Sequence, residues 1–136
     1  MPPKKPQIFI FLSILLVASS VLGQSNGRPS LWEPVDISAR DLYHGPGGAA
    51  MAPDIRRIKY IRKQTGGFRK KYRVEDAAGR TWVAKLGVEA RPETAAVRLL
   101  WAIGYHTEIN YLVPRVTIPT KGTFTNVRFE ARVKKT

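Results

Sequence analysis

From Asp54 onward, apolar and polar positions fall into short runs of period two, separated by breaks rich in glycine or aspartate. Ile55 to Lys63 reads as an extended run, Thr65-Gly66-Gly67 as a turn, Phe68 to Glu75 as a second run and Asp76-Ala77-Ala78-Gly79 as a second turn. A third run, Thr81-Trp82-Val83-Ala84-Lys85-Leu86, sets Thr81, Val83 and Lys85 on one face and Trp82, Ala84 and Leu86 on the other. Together the three predict an antiparallel meander. The period then changes to that of a helix, which starts at Arg91-Pro92-Glu93 and stops at Gly104. Pro92 takes the first helical position, where its missing amide proton costs nothing. Ala96, Leu99, Leu100 and Ile103 recur at helical spacing, predicting an apolar face that packs on the sheet carrying Lys85. Tyr111 to Pro114 and Arg115 to Ile118 read as extended, with Pro114 and Pro119 as breaks. Thr123 to Val133 reads as a last strand, strictly alternating from Val127 through Phe129 and Ala131 to Val133. The predicted class is α+β: a twisted antiparallel sheet of about five strands with one packed helix.

Upstream of this domain the pattern is different. Lys4 and Lys5 precede an apolar run from Ile8 to Leu22, followed by small residues around Gly23, the layout of a secretory signal peptide. The run falls short of the roughly 20 apolar residues that a spanning helix needs, so cleavage after Gly23 is expected. On this reading the protein is exported, to the periplasm or the cell exterior, with no transmembrane span after cleavage; an uncleaved signal would instead anchor it. Residues 24 to 53 are rich in Gly, Pro, Ser and Ala and read as an irregular linker or a loosely docked extension, leaving 54 to 136 as the domain. Within that extension, Tyr43-His44-Gly45-Pro46-Gly47-Gly48 lacks the lysine and the following helix of a phosphate-binding loop, and reads as a turn.

Charge sharpens the picture. Two of the 23 basic residues lie in the signal and all ten acidic ones lie beyond it, so 21 basic against 10 acidic residues leave +11 on the cleaved chain. Nine of these cations, Arg56, Arg57, Lys59, Arg62, Lys63, Arg69, Lys70, Lys71 and Arg73, fall between Ile55 and Arg73 without one acidic residue among them. Such a hairpin predicts a positive surface for an anionic partner. Tyr60, Phe68 and Tyr72 are interleaved with the cations and would suit base stacking. Export disfavours nucleic acid, however, and points to phospholipid headgroups, surface polysaccharide or an acidic protein.

A second chemistry centres on Lys85 and Glu93. A strand lysine with a glutamate from a packed helix is the arrangement by which phosphoryl-transfer enzymes hold an ammonium against phosphate oxygens. Gly66 and Gly67, between the first two strands, would let the backbone approach those phosphates and offer amide protons. A Gly-Gly hairpin turn and a half-buried ion pair would account for the same residues without a ligand.

Over Asp54 to Ile118 these residues carry a resemblance. Trp82-Val83-Ala84-Lys85, Glu93-Thr94-Ala95-Ala96, Leu99, Gly104-Tyr105 and Val113-Pro114 resemble the amino-terminal lobe of atypical protein-kinase-like folds, namely the secretory-pathway atypical kinases and the type II phosphatidylinositol 4-kinases. The stretch Lys-Leu-Gly-x-Glu-Ala-Arg-Pro-Glu-Thr-Ala-Ala is similar to one in an uncharacterised family of exported bacterial proteins. The resemblance implies that Lys85 is the phosphate-binding lysine, Glu93 its helix partner and ATP the cofactor, if a carboxy-terminal lobe completes the fold. The departure matters equally. Neither a His-Arg-Asp-like catalytic loop nor an Asp-Phe-Gly-like metal site is present, and Glu108 and Glu130, the acids after Glu93, are not expected to replace them. The reading is a truncated or inactive version, without catalysis by this chain alone.

Other chemistries fall away. The two histidines, His44 and His106, lie in different segments with no cysteine to join them, which excludes the usual zinc ligand sets. Ser25, Ser30 and Ser38 all stand in the irregular stretch without a nucleophile elbow. The absence of cysteine also excludes disulfides and a lipid-modified cysteine.

Overall fold

The computed structural model describes residues 31–132; the predicted signal segment and Val133 lie outside the described residues. The regular elements are β1 (Lys59–Gln64), β2 (Lys71–Glu75), β3 (Thr81–Lys85), α1 (Ala90–Ala102), β4 (Asn110–Ile118) and β5 (Gly122–Ala131). They form an α+β unit whose single sheet has the order β1-β2-β3-β5-β4, with every neighbouring pair antiparallel. After β3 the chain crosses through α1 to the far edge and returns as β5 into the gap beside β3. The basic hairpin β1–β2 therefore occupies one edge and β4 the other.

Residues that pair across strands share a face. Tyr72, Ala84, Phe129 and Tyr111 form one such row, with Val74 and Trp82 beside it. This face is the core. It is closed by the sheet's own curl, because the β4–β5 hairpin brings Val116, Ile118 and Phe124 over it toward β1. Phe124 stands 6.1 Å from the Tyr72 ring, and Lys121 Nζ lies 4.5 Å from the Tyr60 ring centroid. Trp82 meets Tyr111 edge to face at 5.8 Å, a favoured geometry for aromatic rings.

Asp76 ties the second turn to this core. Almost wholly buried, its carboxylate accepts from Trp82 Nε1 at 2.9 Å and from the amides of Ala78, Arg80 and Asp54 at 3.0, 2.9 and 3.2 Å. Burial pushes its pKa upward, yet these donors and the Arg80 cation outweigh that and hold it below the ordinary carboxylate value.

Three features differ from the pattern-based expectation. The face of α1 that meets the sheet is Ala90, Thr94, Arg98 and Ala102, whereas Ala96, Leu99, Leu100 and Ile103 point to solvent. The sheet already closes its apolar face on itself, so the helix meets the polar face and the β4 edge, where small side chains permit close approach and Arg98 finds its partners. Second, β4 runs unbroken through Pro114. An edge strand tolerates proline, and the ladder skips the position opposite, where Asn126 takes a positive φ of 52°, without changing register. Third, β1 carries a bulge: Tyr60 pairs with Val74 but Arg62 with Arg73, so Ile61 is an extra residue.

Residues 31–53 form three short 3₁₀ turns that belong to the same compact unit as the sheet. Trp32 Nε1 donates to the Ile103 carbonyl at 2.6 Å, Arg98 Nε to that of Tyr43 at 3.3 Å, and the Tyr111 hydroxyl to that of Gly48 at 2.7 Å. Glycine is required at two of the contacts. A side chain on Gly104, with φ 101°, would collide with the Glu33 carbonyl, and one on Gly47 would strike the Tyr111 hydroxyl.

Candidate anion-binding site

The sheet face opposite the core is cationic. Lys71 on β2 pairs with Lys85 on β3, and Lys85 with Arg128 on β5, so three cations stand side by side across three adjacent strands. The neighbouring row holds Arg62, Arg73, Val83, Glu130 and Asn110. Directly opposed side chains in an antiparallel pair lie about 5 Å apart at Cβ, and like charges there repel. The bulge at Ile61 contributes, since the added residue is what turns Arg62 toward Arg73 on this face.

Carboxylates answer only one end of the row. Arg128, whose side chain is 4 % exposed, is ion-paired with Glu93 of α1 and Glu108 before β4, and lies 3.8 Å from Glu130. Lys85, 30 % exposed, is ion-paired with Glu130. At the β1–β2 end, Arg62, Lys71 and Arg73 have no carboxylate partner among the described residues. Arg73 Nε and Gln64 Oε1 are buried there without a hydrogen-bond partner, and buried polar atoms rarely remain so.

In the sequence, Lys85 with Glu93 and the basic hairpin stand as rival sites. The fold divides them differently. Lys85 shares its face with Arg62, Lys71 and Arg73, three of the nine hairpin cations. Arg56 pairs locally with Asp54, whose pKa falls to about 2 through the Arg56 hydrogen bonds; Lys59 Nζ is 3.9 Å from Glu75; and Arg69 pairs with Glu89. Lys63 is in register with Tyr72, on the core side of the bulged strand, Lys70 lies 5.8 Å from the Tyr72 ring centroid, and Arg57 is exposed before β1. Gly66 and Gly67, at φ 97° and 75°, form the hairpin connection, and Lys71 Nζ lies 3.6 Å from where a Gly67 Cβ would stand.

The expected Lys85–Glu93 ion pair is not the one formed: Glu130 holds Lys85, and Glu93 goes to Arg128. Neither Glu130 nor Arg128 belongs to the site that the sequence suggests. The signal for both was available, because strict alternation of Val127, Phe129 and Ala131 puts residues 128 and 130 on the opposite face, where Lys85 also lies.

A concavity of about 540 Å³ lies among residues 42–55, α1 and β4 and is lined mainly by apolar groups. Its buried cation, Arg98, donates from Nε to the Tyr43 carbonyl at 3.3 Å and from its two terminal nitrogens to the Asn110 side chain and carbonyl at 3.3 and 2.5 Å. Burial lowers its pKa. That arginine ties the amino-terminal segment to α1 and to the start of β4. Among the described residues no group of three or more His, Cys, Asp or Glu is arranged to hold a metal ion, and no helix is long and apolar enough to cross a membrane.

Comparison of the chain with protein-family models, with curated proteins and with solved structures finds no match.

Proposed function

We propose that this exported domain binds a polyphosphate-bearing ligand of the nucleotide class on its cationic sheet face, in the manner of a kinase-like amino-terminal lobe, and performs no phosphoryl transfer by itself. The observation that supports this reading is the Lys71–Lys85–Arg128 row, whose repulsion is met by carboxylates at the α1 end and by nothing at the hairpin end. An anion bearing several negative charges would satisfy Lys71, Arg73 and Lys85 together, with the glycine connection beside them. Catalysis would need metal-holding carboxylates and a residue to orient the nucleophile. Here the acids nearest the row, Glu93, Glu108 and Glu130, are committed to Arg128 and Lys85.

The reading of the hairpin as an anion-binding surface is thereby joined to the nucleotide reading on one face, instead of competing with it. The test is a thermal shift with ATP, ADP and tripolyphosphate. Lys71→Gln and Arg73→Gln should each abolish the response, while Lys63→Gln and Arg57→Gln should leave it intact. A response that survives both Lys71→Gln and Arg73→Gln, or no response to any of the three probes, would refute the proposal. Equal responses to ATP and tripolyphosphate would mean that phosphates alone are read.

A further inference from the structure

The tip of the β1–β2 hairpin carries a feature that the phosphate site does not use. Phe68 is fully exposed, the most exposed large apolar side chain among the described residues. Gly66 and Gly67, both at positive φ, form the turn beside it, and Lys63, Arg69 and Lys70 line the same shallow concavity as Phe68. Next to it, the 86–89 loop is tied to the tip by the Leu86 amide donating to the Lys70 carbonyl at 3.0 Å and by the Arg69–Glu89 ion pair. That loop presents a second exposed apolar side chain, Val88.

We propose that this tip is a membrane-contact element, in which Phe68 enters the interface of an anionic phospholipid bilayer, with Val88 beside it, while Lys63 and Lys70 engage the headgroups. Two physical arguments select a bilayer over other anions. A free phosphate gives a protruding phenyl ring nothing apolar to enter, whereas a bilayer interface accepts aromatic side chains at headgroup level. An exposed apolar side chain flanked by lysines is complementary to a surface that is negative outside and apolar within, and each lysine near such a surface adds to the attraction. The Arg69–Glu89 pair fixes the two loops as one unit, so that Phe68 and Val88 are held ready before contact.

The chain has no cysteine, so a single environment-sensitive fluorophore can be placed in the full-length protein at Phe68→Cys, or at Ala78→Cys in the turn between β2 and β3 as a control. Vesicles of phosphatidylglycerol should shift the emission at position 68 to the blue, phosphatidylcholine vesicles should not, and position 78 should not respond to either. Lys63→Glu with Lys70→Glu should raise the vesicle concentration at half response by about tenfold or more. High salt should weaken the response of the unreversed chain in the same direction. No shift at position 68 with phosphatidylglycerol overturns the proposal, as does an equal shift with phosphatidylcholine or at position 78. A shift produced by polyglutamate but not by vesicles overturns it in favour of an acidic protein. Because no nucleotide is present, failure here leaves the phosphate site standing, and the reverse also holds.

Discussion

Glu93, in the first turn of α1, is ion-paired with Arg128 on β5, and that contact pins the helix to the polar face of the sheet. The two partners are unequal: the Arg128 side chain is 4 % exposed and that of Glu93 is 50 % exposed. Removing the buried partner should therefore cost more than removing the exposed one. Arg128→Met is expected to lose about 2–4 kcal/mol, since Glu130 stays largely buried with one cation fewer. Glu93→Gln is expected to lose about 1 kcal/mol or less. Urea unfolding of both variants checks the ranking, and equal losses would contradict it.

Lys71 stands opposite Lys85 without a carboxylate of its own. Replacing it with a neutral β-former relieves like-charge repulsion, so Lys71→Thr should stabilise the ligand-free protein by about 0.2–1 kcal/mol. The same change should remove the thermal shift with tripolyphosphate. A variant that melts lower than the parent would show that Lys71 is a structural cation after all.

Asp76 gives the acid limb of stability a defined cause. Its folded-state pKa lies below the unfolded value, so its contribution is fully present above that unfolded value, near 3.8, and is lost as pH falls through the lower folded pKa. Asp76→Asn should be less stable at neutral pH and should show a flatter decline below about pH 4. Unfolding free energies measured across that range would expose an unchanged slope, which would assign acid sensitivity elsewhere.

The solvent face of α1 and the sheet core predict different costs. Leu99→Gln, on the solvent side, should change stability by no more than about 0.5 kcal/mol. Phe129→Ala, at the centre of the core, should lose about 3–5 kcal/mol. In thermal melts, a loss at Leu99 approaching that at Phe129 would contradict the placing of this helix face in solvent.

What could be read from the chain alone follows from this geometry. Period two found the strands because each has one face on the core, and Gly104 ended the helix because only a residue tolerant of positive φ fits there. The orientation of α1 was not legible. An apolar stripe suggests burial, but nothing local reveals that the sheet buries its own apolar face by curling, which leaves Leu99, Leu100 and Ile103 without a place in the core. The site was half legible for a similar reason. Lys85 could be placed on a face from its own strand, whereas its neighbours Lys71 and Arg128 depend on which strands pair, and Arg62 depends on a one-residue bulge. Strand order is a property of the whole chain, so Glu130 beside Lys85 emerges only once β5 is threaded between β3 and β4.

The bulge at Ile61 has an effect on encounters between copies of the protein. It lies in β1, a sheet edge whose unpaired amides and carbonyls invite another strand, and an extra residue there breaks the even spacing that such pairing requires. Lys59, Arg62 and Lys63 on the same strand would have to approach their own counterparts in a second molecule. The edge that faces outward with its charges is thus poorly suited to fibril growth, and neutralising Arg62 and Lys63 together would open a route to self-association that leaves the fold of the single chain unchanged.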